Sequence, residues 1–200
     1  MPCLALGGDL KTESLDLDKF PEGDPPPSIF VVAGTMQIKQ HAREKVLEIS
    51  GAHPETDAGA VFGPSSRGTA VIEARILASK AGRSFPRFGI GVLGQTGFRL
   101  YVVPARKELQ LMKNDEVVKA VPFDWKSGSK TTLRLEVVSG GTDRWIIRGI
   151  AMPSDGKEPD TFKISHEFTG APGHGQCSIW GTPYAGTPID FDAIKVGTEG

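Results

Sequence analysis

Cysteine is nearly absent from this chain, with only Cys3 and Cys177 among 200 residues. Two distant thiols make neither a disulfide framework nor a zinc site. The fold must therefore rest on a hydrophobic core, which a chain of this length can bury unaided. Cys3 and Cys177 could still pair if the first and last strands are neighbours. Charge of one sign is lacking too: 23 basic against 24 acidic side chains leave a net charge of −1. Nucleic-acid binding needs a basic face, which this interspersed pattern does not supply. No apolar run reaches membrane-spanning length, and Pro2 and Cys3 follow Met1 without the basic and apolar regions of a signal peptide. The sequence thus reads either as a cytoplasmic protein or as an excised domain. His41, His53, His166 and His174 fall at none of the i, i+2 or i+4 spacings of a local metal-ligand pair. A Gly-x-Ser-x-Gly nucleophile elbow is missing. No self-similarity of roughly 20–50 residues marks a propeller or solenoid.

Glycine and proline are plentiful, at 25 and 15 residues, and suit short strands joined by turns better than long helices. The clearest patterning is Phe98–Val103, Glu108–Lys113 and Val117–Phe123, where apolar and polar residues alternate with period two. Asn114-Asp115 stands where a tight hairpin turn would fall. Further strands are expected at 29–32, 36–39, 46–49, 60–62, 70–78, 87–93, 131–138, 145–152, 160–167, 175–180 and 189–196. The only helix-like stretch, 40–45, is too short to nucleate. Residues 1–27 read as an N-terminal arm with a Pro-rich turn and a short strand near 14–17, and 28–200 as a single β-sandwich domain. In the strand at 70–78, Ile72, Ala74 and Ile76 point to the core while Glu73 and Arg75 point away. That outer charge is either a solvated face or the polar lining of a ligand groove.

Residues that could carry chemistry are few. Glycosidases flank one bond with two carboxylates, and the available acids are Glu73, Glu108 and the i, i+2 pair Asp190 and Asp192. Asp190 and Asp192 share one face of a strand. They form either an ordinary solvent face opposite Phe191 or a cation or acid–base site. His174, framed by glycines, could reach a ligand from its loop. Gly89-Ile-Gly91 and Gly94 lie within and at the end of a strand with no following helix, which excludes a dinucleotide cradle. Trp180-Gly-Thr-Pro-Tyr184, followed by Ala-Gly-Thr-Pro188, reads as a rigid aromatic loop, either a binding site or a structural corner. Trp125 and Trp145 suit packing at the core or its rim.

The ending 175–196, with its glycine-led strand and the final Ile189-Asp-Phe-Asp-Ala-Ile-Lys-Val196, resembles the last strand pair of concanavalin A-like (laminin G-like) jelly-roll domains. Ile72–Ile76, Arg87–Gly91, Gly97–Leu100 and Gly34–Ile38 are similar to the early and middle strands of such domains. Ile72–Ile76, Arg87–Gly91 and Gly97–Leu100 also resemble modules attached to bacterial pyrroloquinoline-quinone-type propeller repeat proteins. The 3-keto-disaccharide hydrolases share this sandwich, but their Asn-Ser-Gly-Ile-x-x-Arg-like strand is replaced here by Arg87-Phe-Gly-Ile-Gly91. Their Asn-Gly hairpin after a Trp-Asn strand is replaced by Lys130-Thr-Thr-Leu133.

The resemblance implies an all-β, antiparallel two-sheet sandwich from an extracytoplasmic protein. Its expected role is non-catalytic binding of an oligosaccharide or polysaccharide, or of a propeller domain in the same polypeptide. The binding residues expected are Trp180, Tyr184, Tyr101, Arg99 and Arg75, with Tyr184 as a stacking ring. The alternative is a glycoside or 3-keto-glycoside hydrolase drawing on the carboxylates above and His174. Lectin-like relatives also imply a calcium ion at the rim, for which Asp190, Asp192 and Asp124 offer oxygens.

Overall fold

Alternation is the organising fact of the structure. In the computed structural model, which describes residues 10–42, 44–154 and 162–199, Ala70–Ala78 buries every second residue, with Ala70, Ile72, Ala74, Ile76 and Ala78 inward. The strands in chain order are β1 (Leu10–Ser14), β2 (Ile29–Ala33), β3 (Met36–His41), β4 (Glu44–Ile49), β5 (Ala58–Ser66), β6 (Ala70–Ala78), β7 (Arg87–Val92) and β8 (Phe98–Val103). They continue with β9 (Glu108–Lys113), β10 (Glu116–Pro122), β11 (Lys130–Gly141), β12 (Arg144–Pro153), β13 (Ile164–Thr169), β14 (Gly175–Thr182) and β15 (Ile189–Glu199).

These strands form two antiparallel sheets packed face to face. One has eight strands in the order β13-β12-β11-β6-β15-β4-β3, with β1 pairing β15 off that path. The other has seven, in the order β10-β9-β8-β7-β14-β5-β2. Between them lie Ile72, Ile76, Leu135, Phe191, Phe88, Ile90, Leu100 and Phe62, each exposed by 1% or less. Burying each such side chain is worth about 1.5–3 kcal/mol, so this shared interior is what holds the sheets together.

Turn chemistry sets the register. Asn114 and Asp115 both take positive φ, 48° and 63°, and close the β9–β10 hairpin. That pair of left-handed residues is what a type I′ turn requires. The 40–45 stretch contains no helix among its described residues. It is the β3–β4 hairpin, turning at Ala42 with φ of 49°. The expected short strand near 14–17 lies earlier, at Leu10–Ser14 along β15, and is followed by a 3-10 turn at Leu17–Lys19. The strand expected from 160 begins at Ile164, and 155–161 fall outside the described residues. Among the described residues no helix is long and apolar enough to cross a membrane.

Cys177 on β14 is 1% exposed, with its Sγ directed at the Val71 carbonyl 3.7 Å away. The pairing with Cys3 cannot be placed, because Cys3 lies outside the described residues. Burial, helped by the charge of Glu13, pushes the Cys177 thiol up to about 12. The nucleophilic thiolate is therefore suppressed in the folded state. In a Cys3→Ser variant at pH 8, Cys177 should react with an aromatic disulfide reagent only as fast as the protein opens, and at once in denaturant. Prompt labelling of the native protein would contradict this placement.

Candidate functional site

The outer face of the seven-stranded sheet is built on a row of alternating rings and glycines. Trp180 on β14 stands between Gly59 on β5 and Gly89 on β7, Gly89 faces Tyr101 on β8, and Tyr101 faces Gln110 on β9. The rings lean onto the glycines: a Cβ at Gly59 would sit 2.3 Å from Trp180 Cε3, and one at Gly89 would sit 2.8 Å from Tyr101 Cδ1. No residue with a side chain fits beneath either ring, which is the physical reason for glycine inside these strands.

Arginines cover both rings. The Arg99 guanidinium carbon lies 4.0 Å from the Trp180 ring centroid, and that of Arg87 lies 4.8 Å from Tyr101. Such stacks contribute about 0.5–2 kcal/mol, more as they are desolvated. Arg99 is held by Asp115 at 3.0 Å and by the Gln95 carbonyl at 3.3 Å, and Arg87 by Asp57 at 2.9 Å. Beneath them Trp180 and Tyr101 are only 7% and 2% exposed, and the Trp180 indole N–H donates to Ser178 Oγ at 2.9 Å. Burial pushes the Tyr101 phenol up to about 12 against the pull of Arg99 and Arg87, so it stays neutral.

The expected aromatic loop therefore divides. Trp180 lies within β14, which runs on to Thr182, and only Pro183–Pro188 forms a loop, turned by the Gly186 N–H to Pro183 carbonyl bond and tied by Thr187 Oγ1 to the Ser79 carbonyl at 2.6 Å. Tyr184 projects from it, 48% exposed. Tyr184 forms one wall of a groove of about 340 Å³ whose other walls include Arg87, Arg106, Gln110, Met112 and Val117. Sequence reasoning passed over these five. Alternation could have found three, since Gln110 and Met112 oppose the inward Leu109 and Leu111, and Arg87 shares the parity of Gly89. Arg106 sits on a 3-10 turn, where no periodicity points to it.

Arg75 is brought nowhere near this groove. It lies on β6 of the other sheet, whose outer face is a lattice of ion pairs. Arg75 binds Glu44 at 2.6 Å and also Asp192, while Lys130 reaches Asp192 at 3.1 Å and also Glu44. Glu73 is shared by Lys195 at 3.4 Å and Arg134 at 4.0 Å. Of the two readings of Asp190 and Asp192, the ordinary solvent face does not hold. Both point outward from β15 on one face, yet they are 7% and 5% exposed because neighbouring side chains close over them. Asp190 meets His41 Nδ1 at 3.3 Å, and His41 Nε2 lies 3.6 Å from Glu48, which Lys39 also holds at 2.8 Å. Burial raises the Asp190 pKa, His41 works against it, and the Glu48 charge adds to it. Asp192 is engaged by cations and Asp124 lines a different hollow beside Trp125. Among the described residues, the acidic and histidine side chains whose ligand atoms converge are His41, Glu48 and Asp190. His174 is exposed on its loop, and Glu108 accepts from Gln110 Nε2 at 2.7 Å.

The sequence matches no protein-family model and no curated protein. Solved structures do match in fold. The carbohydrate-binding module CBM66 from Bacillus subtilis aligns with a TM-score of 0.57 at 15% identity, over 84% of this chain and 94% of that one. The VIP36 exoplasmic/lumenal domain in its Ca2+/Man-bound form aligns at 0.53 and 8% identity, over 87% of this chain and 84% of that one. The metal-free carbohydrate recognition domain of Emp46p aligns at 0.52 and 10% identity, over 86% and 88%. Identities this low establish architecture, and the architecture is the jelly-roll, lectin-like β-sandwich of the concanavalin A-like type.

Because Arg99 is the lid on Trp180, Arg99→Ala should shift tryptophan emission to the red and increase its quenching by acrylamide. An unchanged spectrum would mean that Trp180 is shielded by something else.

Proposed function

We propose that this chain is a non-catalytic carbohydrate-binding module whose ligand lies in the groove beside Tyr184. The observation that carries the reading is the makeup of that groove: an exposed phenol ring faces Arg87, Arg106 and Gln110 across about 340 Å³. A ring face suits the C–H face of a pyranose, and guanidinium and amide groups suit its hydroxyls. The likeness in fold to modules described as carbohydrate-binding supports it.

Tyr101 holds the Arg87 guanidinium over its ring at the groove, whereas Trp180 and the Arg99 that covers it lie outside the groove lining. Arg75 has no part in this groove.

Among the described residues, the groove lining includes no carboxylate, whereas hydrolysis requires two of them at roughly 5–10 Å across a bond. Binding without cleavage is therefore favoured over the glycoside hydrolase alternative. Docking of a propeller domain would call for a broad apolar patch. The large apolar side chains exposed among the described residues are Phe30, Val117 and Tyr184, and the last two already line the groove. The rim calcium expected from Asp190, Asp192 and Asp124 has no part in this reading, since none of the three borders the groove.

Tyr184→Ala tests the assignment on any saccharide that the wild type binds in a glycan panel. Calorimetry should give at least about a tenfold loss of affinity, near 1.4 kcal/mol. Stability should change by less than about 0.5 kcal/mol, because the side chain is half exposed. Unchanged affinity would move the ligand elsewhere, and release of reducing ends would replace binding with hydrolysis.

A further inference from the structure

We propose that His41, Glu48 and Asp190, on the outer face of the eight-stranded sheet, form a binding site for a divalent transition metal ion of the zinc class. The site lies on the other sheet from the Tyr184 groove and does not depend on the carbohydrate reading.

The geometry begins with convergence: one ligand atom from each of the three side chains lies within 4.8 Å of the other two. Two of the three are deeply buried, with the Glu48 and Asp190 side chains 8% and 9% exposed. The Asp190 carboxylate turns its Oδ2 to His41 at 3.3 Å, while its Oδ1 is sealed from solvent and has no hydrogen-bond partner. A buried carboxylate with one unpartnered oxygen is costly to keep charged, and a cation held between the two acids offsets that charge. Lys39, at 2.8 Å from Glu48, supplies part of the neutralising charge in the absence of metal. Its side chain is 43% exposed and that of His41 is 40% exposed. Lys39 can therefore swing outward, and the ion can enter from solvent on that side.

The donor set selects the ion. One imidazole nitrogen and two carboxylate oxygens match zinc, cobalt or nickel, with water completing the coordination. Calcium takes roughly six to eight oxygens and gains nothing from the imidazole. The placement also gives the ion a task. His41, Glu48 and Asp190 belong to β3, β4 and β15, three neighbours at one end of the sheet order. The β15–β4 ladder is short, running only from Ile189 opposite Ile49 to Phe191 opposite Leu47. A metal across it would fasten the edge hairpin to the C-terminal strand.

The test is titration of the full chain with zinc chloride and, separately, calcium chloride at pH 7.5, followed by thermal unfolding and calorimetry. Zinc should raise Tm by several degrees, saturably and with one ion per chain, and calcium should not. His41→Ala, which leaves the core untouched, and Asp190→Asn should each weaken zinc binding at least tenfold while circular dichroism shows the native β signal. The proposal is overturned if zinc leaves Tm unchanged, if its effect survives in both variants, or if calcium acts equally well.

Discussion

Each strand must turn one set of side chains inward and one outward, and here both inward sets are committed to the core between the sheets. Ile72, Ile76 and Leu135 from one side meet Phe88, Ile90 and Leu100 from the other, all but completely dry. That packing fixes the register of the strands that contribute to it, because a slip of one residue would exchange core for surface. Function is left to the two outer faces, and they have become chemically opposite.

The outer face of the eight-stranded sheet neutralises itself. Arg75, Lys130, Glu44 and Asp192 satisfy one another, as do Glu73, Lys195 and Arg134. Partly exposed ion pairs of this kind add little stability individually. Their effect is to leave few groups free for a ligand, although among the described residues Asp190 keeps one carboxylate oxygen without a hydrogen-bond partner. The outer face of the seven-stranded sheet instead carries rings over glycines, with arginines over the rings. Gly59 and Gly89 remove the bulk beneath Trp180 and Tyr101, and Arg99 and Arg87 cap them. A polar face results, bordered by Tyr184, which stands exposed beside it.

Much of this architecture is legible in the residue order. Alternation in 70–78, 98–103 and 108–113 locates strands whose bounds agree with the structure to within a residue, and Asn114-Asp115 gives its hairpin. The site was less readable, for reasons that particular residues make plain. Trp180 ends the strand expected at 175–180 and opens a stretch rich in glycine and proline that reads as loop, yet the strand runs on to Thr182 because Gly181 and Thr182 still pair with β7. Asp190 and Asp192 alternate with Phe191 as surface residues should, but burial depends on what Arg75, His41 and Lys130 do from other strands. Arg75 and Arg99 look alike in sequence and belong to different sheets, a distinction made only by strand order.

The deciding property of the molecule is which outer face meets a saccharide. Amide chemical-shift mapping of the isotope-labelled protein, titrated with its best-binding oligosaccharide, reads this directly. Shifts should cluster at Arg87, Arg106, Gln110, Val117 and Tyr184 and leave β3, β4 and β15 unmoved. Shifts confined to the charged face of the eight-stranded sheet, or no shift with any saccharide, would contradict it.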